Sequence, residues 1–402
     1  MKDITISPIE RFKVVLIYLI ASIFLFTTAS EAYNFIKFNI DVHITYIVVF
    51  VLLIFVFLVR ILRTKIDFIA LMLVARIFIF IITLLLFSNS IDMMPRFLAV
   101  VVAFLSYSIF FNLQLNDNDF MTFIKFVFLV VSIQTISAAF NAMNLGVILN
   151  HIKVYIRIPF GGSNYISSFL IMLLPFIWFN VDKKIHKYGL SFIGVLAIIL
   201  TRSNTGFIML LLFTTMVGIK MKGRKKTLKI LVLIIAIILA VFTIYSINSE
   251  FFDRYLNVFS NLFSWNESNS IVIAFNGRIQ LYKTAMDLIS ENFLFGLGVN
   301  YVENLGALAH NVVLESLLQA GIFNMLILLL VFTIIFRRTK RFPDNNLCLA
   351  MNVSLILVLV NGMIEPNLFA FNFDFFFWGI VGYCMKRYSY NRKIGKRDIA
   401  LK

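Results

Sequence analysis

The chain has few charged residues, and this scarcity excludes an ordinary water-soluble fold. Asp, Glu, Lys and Arg make up 14% of its 402 residues, whereas soluble domains contain about 25%. Hydrophobic residues make up 61%, more apolar surface than a soluble core hides. The apolar runs are continuous and about 20 residues long, which is the length of a helix that crosses a ~30 Å hydrocarbon layer. The composition therefore predicts an all-α integral membrane protein.

Several familiar signatures are absent as well. The two cysteines, Cys348 and Cys384, provide neither a disulfide framework nor zinc-ligand spacing. The sequence contains no phosphate-binding loop, no Ser/His/Asp arrangement and no internal repeat, so neither a metal nor a cofactor is predicted. In a soluble protein the net charge of +16 would suggest a nucleic-acid partner. Here the basic residues lie in short clusters between apolar runs, which indicates a role in membrane orientation and predicts no nucleic-acid partner.

Length and hydropathy predict about twelve membrane spans. They lie near 14–30, 44–62, 68–88, 95–113, 121–143, 164–181, 189–202, 205–219, 228–247, 311–336, 347–365 and 368–385. We therefore predict that residues 1–402 form a single polytopic membrane domain. Residues 1–32 resemble a signal peptide in their charge and hydropathy, but an uncleaved first span agrees better with the alternation of sides.

The basic clusters predict the orientation of the spans. With both termini cytoplasmic, all of the clusters fall on one side; they lie at 2–13, 60–65, 183–187, 220–229, 337–341 and 386–402. Segment 248–310 is poor in Lys and Arg and is predicted to be an external, periplasmic loop between the ninth and tenth spans. The apolar stretch 190–219 has basic clusters at both ends, which predicts a re-entrant pair with an external apex at 201–206.

One segment of the external loop is amphipathic. It reads "NGRIQLYKTAMDLISENFLFGLGVN" and covers residues 276–300. Its apolar residues recur at helical spacing, which predicts a helix lying on the membrane or over the bundle; they are Ile279, Tyr282, Met286, Ile289 and Phe293. Gly296 and Gly298 predict a turn after this helix.

A few polar residues on the predicted outer side could bind a substrate or take part in catalysis. Arg157, Arg202 and Arg278 lie where orientation selects against basic residues, and guanidinium groups bind the oxygens of a diphosphate two at a time. The ordinary alternative is a headgroup contact near a helix end. His310 precedes the tenth span, and histidine is the natural general base near neutral pH. The alternative for His310 is a structural polar residue beside Asn311 at a helix start.

Two further polar features need an explanation. Arg76 lies in the middle of a predicted span, where a charge is costly and is usually paired or functional. The sequence "DND" at 117–119 resembles the metal-binding acidic pair of nucleotide-sugar transferases. It falls in a predicted cytoplasmic loop, so we predict a solvated loop instead.

Taken in order, these motifs resemble the O-antigen polymerase and O-antigen ligase family of bacterial envelopes. That family has an arginine after a glycine, an amphipathic helix, a Gly-x-Gly turn and a His-Asn pair before a helix that contains a glycine. The corresponding residues here are Gly277, Arg278, Gly296, Gly298, His310, Asn311 and Gly321. The stretches "RIPFGGSNYISSFLIMLLP" and "LTRSNTGFIMLL" are similar to the external loop and the apex of the family. If Ser203 corresponds to the family serine, Asn204 replaces the expected arginine, and Arg202 or Arg157 would substitute for it.

The resemblance implies a metal-independent glycosyltransferase of the bacterial inner membrane, acting at the outer face on undecaprenyl-diphosphate-linked oligosaccharides. It implies His310 as the catalytic base, with Arg278, Arg157 and Arg202 on the diphosphate and Asn311, Gly296 and Gly298 in support. The Gly296–Gly298 turn favours a polymerase of O-antigen or capsule-type repeat units over a ligase that transfers polymer to lipid A core. A transporter of the same lipid is the distant alternative, for which paired halves are expected and not found. The implied partners are the lipid-linked oligosaccharide, membrane lipid, and a chain-length regulator and a flippase of the same pathway.

Overall fold

The computed structural model describes residues 8–27, 42–58, 65–87, 94–144, 152–220, 278–298, 301–305, 309–342, 345–365 and 367–400. Its helices are α1 (Pro8–Phe26), α2 (Val42–Leu58), α3 (Phe68–Phe87), α4 (Met94–Asn112), α5 (Asp117–Asn144), α6 (Ile152–Tyr155), α7 (Ser163–Asn180), α8 (Lys184–Leu200), α9 (Asn204–Lys220), α10 (Arg278–Glu291), α11 (Tyr301–Leu305), α12 (Val312–Lys340), α13 (Asn346–Gly362) and α14 (Phe371–Ala400). A short antiparallel hairpin, β1 (Arg157–Ile158) and β2 (Gly161–Gly162), precedes α7.

The helical architecture confirms the predicted all-α membrane class. Each predicted span except the ninth overlaps a described helix, whereas 228–247 lies outside the described residues. Among the described residues, four helices are long and apolar enough to cross a membrane: Phe68–Leu86, Asp117–Asn144, Ser163–Asn180 and Val312–Lys340. Most of the predicted external loop, residues 248–277, also lies outside the described part of the chain.

Helix α14 packs closely along α4 in the interior of the bundle. A Cβ atom at Gly379 would lie 3.0 Å from the ring of Phe110, and one at Gly382 would collide with the carbonyl group of Tyr107. Small residues allow such close approach between membrane helices, where packing rather than water exclusion holds helices together.

At one end of the bundle, two basic residues form ion pairs that join neighbouring helices. Arg338 at the end of α12 donates to Asp67 at 3.0 Å, and Arg387 of α14 donates to Asp117 at 2.5 Å. Asp117 also accepts from the hydroxyl of Tyr383 at 2.6 Å. The "DND" segment therefore begins α5 and joins it to α14, instead of forming the predicted solvated loop.

The predicted apex in the stretch 190–219 is confirmed as a tight turn between two helices. Helix α8 ends at Leu200 and α9 begins at Asn204. A Cβ atom at Gly206 would lie 3.2 Å from Ile198 of α8 and 2.9 Å from Ser167 of α7. Helix α9 therefore folds back against α8, and the turn lies beside the beginning of α7.

Helix α12 contains a sharp break that the sequence analysis did not predict. The backbone leaves helical geometry at Ala320 (φ −152°, ψ 22°) and Gly321 (φ 69°, ψ −168°). A break of this kind frees backbone groups that need other partners in an apolar environment. The turn that follows α10 supplies them, because the Leu297 N–H donates to the Leu318 carbonyl at 2.7 Å and the Ile322 N–H donates to the Phe293 carbonyl at 3.0 Å.

The predicted turn at Gly296 and Gly298 is confirmed by this docking. Both residues have left-handed φ angles, 69° and 71°. A Cβ atom at Gly296 would lie 2.6 Å from the carbonyl oxygens of Leu317 and Leu318. The turn therefore needs glycine at 296 both for its backbone angle and for its contact with α12.

Candidate functional site

His310 lies immediately before α12, at the end of the bundle opposite the basic residues. Its backbone is left-handed, with φ 49°. The cap of α12 is the neighbouring Asn311, whose side chain accepts from the N–H groups of Val313 at 2.9 Å and Leu314 at 3.3 Å. The Asn311 amide also donates to the Met363 carbonyl at 3.2 Å. Asn311 therefore performs the structural role that was the alternative for His310.

The imidazole of His310 faces a carboxylate from the turn that follows α13. Its Nδ1 atom lies 3.3 Å from Oε2 of Glu365, and the amide of Asn164 in the first turn of α7 donates to Oε1 at 2.8 Å. An ionised carboxylate only accepts, so the proton shared with Glu365 belongs to Nδ1 of His310. The lone pair of the ring is then on Nε2. The His310 side chain is 34% exposed, whereas that of Glu365 is 13% exposed, so the imidazole is accessible and the carboxylate is sheltered.

A second layer of hydrogen bonds joins the ends of α7 and α13 around Glu365. The Glu365 N–H donates to the Asn361 carbonyl at 2.8 Å, and the Asn361 amide donates to the Ser168 hydroxyl oxygen at 2.8 Å. The Ser168 hydroxyl in turn donates to the Asn164 carbonyl at 2.8 Å. These contacts fix Asn164 and Glu365 relative to each other.

Helix α10 approaches His310 through Tyr282. The Tyr282 hydroxyl donates to the His310 carbonyl at 3.4 Å. Arg278 begins α10 four residues earlier, so its backbone position is on the same face of the helix as Tyr282. The side chain of Arg278 lies outside the part of the chain that the structure describes.

The buried face of α10 is narrower than the predicted apolar stripe. Ala285 and Ile289 are buried against Tyr301 and Leu318, whereas Met286 and Phe293 are 56% and 48% exposed. The contact with α12 uses small and branched side chains on one edge of the stripe. The larger residues of the stripe remain on the surface, where lipid would contact them.

The other two predicted diphosphate residues flank the beginning of α7. Arg157 is exposed on β1 and pairs in register with Gly162, two residues before Asn164. Arg202 lies in the turn between α8 and α9, has a left-handed φ of 51° and is 7% exposed. Any ligand of Arg202 would therefore have to reach it inside the protein.

A buried polar cluster lies next to His310 on α11, α4 and α12. The Arg96 guanidinium lies 5.0 Å from the ring centre of Tyr301, and Glu315 is 3% exposed and accepts from Gln319 at 3.2 Å. Burial, together with the charge of Glu315, raises the pKa of Tyr301. Tyr301 therefore stays protonated, and Glu315 is enclosed in this cluster instead of being accessible as a base.

Glu365 and Asn164 are the residues of this candidate site that the sequence analysis missed. Asn164 lies in the quoted stretch "RIPFGGSNYISS", but no spacing connects it to His310. Glu365 is the acidic residue at the end of the apolar run before Pro366. An acid at that position was the one available signal for a polar group at the end of a span.

The fold and this geometry define a helical membrane protein with a histidine–carboxylate pair at one end of the bundle. Residues 189–329 match the family model described as O-antigen ligase. This match, which covers about a third of the chain and includes Arg202, Arg278 and His310, supports the predicted resemblance to the O-antigen polymerase and ligase family. Family members are glycosyltransferase-like enzymes that act on polysaccharide, so the match supports O-antigen polymerase or ligase activity in general. No curated protein matches the chain.

Proposed function

We propose that this chain is a polymerase that joins undecaprenyl-diphosphate-linked oligosaccharide repeat units into O-antigen or capsule-type polysaccharide. The observation that carries the proposal is the pair of His310 and Glu365, with the first helix of the family motif, α10, in contact with His310 through Tyr282. The acceptor is the terminal sugar of an incoming lipid-linked unit, delivered by a flippase, with a separate regulator of chain length.

In the proposed reaction His310 acts as general base. Nε2 takes the proton of the acceptor hydroxyl while that oxygen bonds to the anomeric carbon of the growing chain. The bond between this carbon and the diphosphate breaks, and undecaprenyl diphosphate leaves with the electron pair. Glu365 accepts from Nδ1 of His310 and stabilises the imidazolium that forms.

We propose that arginine side chains, and not a metal ion, bind the diphosphate leaving group. Negative charge grows on the leaving oxygen during bond cleavage, and fixed cations directed at it lower the barrier. We assign this role to Arg278, Arg157 and Arg202. The position of Arg278 at the start of α10 and of Arg157 beside the first turn of α7 supports the assignment.

We also propose the orientation in the inner membrane. Both termini and the basic end are cytoplasmic, the loop 248–310 is periplasmic, and the site opens at the outer face. A cysteine replacing Asn204, which is exposed at the start of α9, should be labelled by a membrane-impermeant maleimide in spheroplasts. A cysteine replacing the exposed Lys184 at the opposite end of α8 should be labelled only after permeabilisation. The reverse pattern would contradict the orientation.

Surface polysaccharide from a deletion strain tests the function. Loss of a polymerase leaves lipid A core with one repeat unit, and the plasmid-borne wild-type gene should restore the ladder on a gel. Bare core in the deletion strain would identify a ligase instead.

Arg278→Lys keeps the charge but loses the two-pronged guanidinium contact, so it should not restore the ladder although the protein inserts. Lys283→Ala, which changes an exposed basic residue of the same helix, is the matched control and should restore it. A normal ladder from Arg278→Lys would show that the two-pronged guanidinium contact of Arg278 is not part of the mechanism.

A further inference from the structure

Arg76 is a charged residue in the middle of α3 that the proposed reaction does not use. It is 1% exposed, and its Nε–H donates to the Asn324 side-chain oxygen at 2.8 Å. Its guanidinium carbon lies 4.9 Å from the ring centre of Phe369. Intramembrane charges persist where they are paired and have a task, so each of these partners indicates what Arg76 holds in place.

The first partner connects Arg76 to the break in α12. Asn324 is fully buried, and its amide donates to the carbonyl of Ser316 at 3.1 Å and to its hydroxyl oxygen at 2.8 Å. These hydrogen bonds cross the break at Ala320 and Gly321. The Arg76 side chain therefore orients the Asn324 amide, which joins the two halves of α12. Asn311 and His310 immediately precede the N-terminal half.

The same face of α3 also contacts the turn that follows α10. Thr83 is two helical turns beyond Arg76 and lies on the same face. Its hydroxyl, which is also bonded within α3, lies 3.3 Å from the Phe295 carbonyl. Phe295 belongs to the segment that docks on the break through Leu297 and Phe293. One face of α3 thus supports both the broken helix and the turn seated on it.

The second partner connects Arg76 to the segment that carries Glu365. Phe369 has a left-handed φ of 83°, and its N–H donates to Asp374 at 3.2 Å. The Arg76 guanidinium lies over the Phe369 ring. It therefore holds the turn between α13 and α14, in which Glu365 lies four residues before Phe369.

We propose that Arg76 is a positioning residue that sets the distance between His310 and Glu365 from inside the membrane. Arg76 affects the position of His310 through Asn324 and the N-terminal half of α12. It affects the position of Glu365 through Phe369, whose N–H is bonded to Asp374. This proposal rests on the proposed function, because it assigns Arg76 to the geometry of the same catalytic pair.

The test uses two substitutions. Arg76→Lys retains the positive charge but loses the Nε–H, and Asn324→Leu removes the acceptor while Arg76 stays in place. Each should lower turnover of lipid-linked repeat units by about 10- to 100-fold, because small displacements of catalytic groups are that expensive. The apparent KM for the donor should change less than about threefold, because the lost interaction orients reacting groups instead of binding substrate. The double variant should be no slower than the slower single variant, as expected for residues that act as one unit.

Gln134→Leu is the matched control. Gln134 is buried, and its amide donates to the Leu25 carbonyl at 2.9 Å, joining α5 to α1 away from the break. The Gln134→Leu variant should keep wild-type turnover. This result would show that loss of an interhelical hydrogen bond alone does not account for the slower turnover of the two test variants. If Arg76→Lys fails to insert, Asn324→Leu decides the question, because that variant leaves Arg76 in place.

A second measurement does not depend on activity. A cysteine at Leu297, whose N–H donates to the Leu318 carbonyl, should react with maleimide about tenfold faster in the Arg76→Lys and Asn324→Leu backgrounds, because the docked turn opens more often. The native Cys348 and Cys384 are buried and give a low background. Wild-type labelling and wild-type turnover in both variants would overturn the positioning role. Faster labelling in both variants, with no turnover even in the wild type, would support the positioning role and overturn the proposed function.

Discussion

Replacement of His310 by alanine is expected to lower the rate of polymer synthesis by about 10²–10⁴-fold, the usual contribution of a general base. The protein should still insert and fold, because Asn311 caps α12 through its own side chain. The measurement is turnover of lipid-linked repeat units by the purified protein in membranes, with binding of the lipid donor recorded separately. Donor binding should be largely retained, because the arginines are unchanged.

The glutamine variant of His310 separates catalysis from structure. Glutamine can still donate a hydrogen bond to Glu365 but cannot take a proton at neutral pH, so His310→Gln should be nearly as slow as His310→Ala. Glu365→Gln removes the negative charge that stabilises the imidazolium and should cause a smaller loss. Wild-type turnover of His310→Gln would exclude His310 as the base.

Gly321→Ala is expected to disrupt the site from a distance. The backbone angles of Gly321, φ 69° and ψ −168°, belong to a region that is essentially restricted to glycine and costs other residues about 1–3 kcal/mol. A Cβ atom there would also collide with the carbonyl group of Leu294. We expect the turn after α10 to leave α12, with a lower thermal midpoint in detergent and a severe loss of turnover.

Gly189→Ala is the matched control for this substitution. Gly189 lies in α8, and a Cβ atom there would have no neighbour within 4 Å. Because alanine favours helix over glycine, the thermal midpoint should stay the same or rise slightly, with unchanged turnover. If Gly321→Ala behaves like Gly189→Ala, the break in α12 does not depend on glycine and the docking argument is wrong.

The sequence predicted those parts of the fold that depend on local pattern. Apolar runs of helical length located the described helices, and the Ser, Asn, Thr and Gly residues of the stretch 201–206 located the turn between α8 and α9. Gly296 and Gly298 were correctly predicted as a turn because left-handed angles favour glycine. His310 and Asn311 were correctly located at a helix start, although the cap was identified only when the contacts of Asn311 were known.

The remaining features depend on contacts between distant parts of the chain. Glu365 and His310 are 55 residues apart, and no periodicity connects them. The break at Gly321 exists because the turn around Leu297 replaces its hydrogen bonds, so the apolar sequence of α12 alone predicts an uninterrupted helix. Arg76 could be recognised as unusual, but its partner Asn324 is 248 residues away.

The interlocked turn and helix break also have a consequence for the order of synthesis. The turn at residues 293–297 is made on the ribosome before the broken segment at 318–322. A backbone N–H or C=O group without a hydrogen-bond partner in hydrocarbon costs several kcal/mol of free energy. The groups that satisfy the break are therefore synthesised before α12 itself. We expect α12 to form a stable helix in the membrane only when the preceding turn can dock on it, so a chain with α10 deleted should be less stable at this helix.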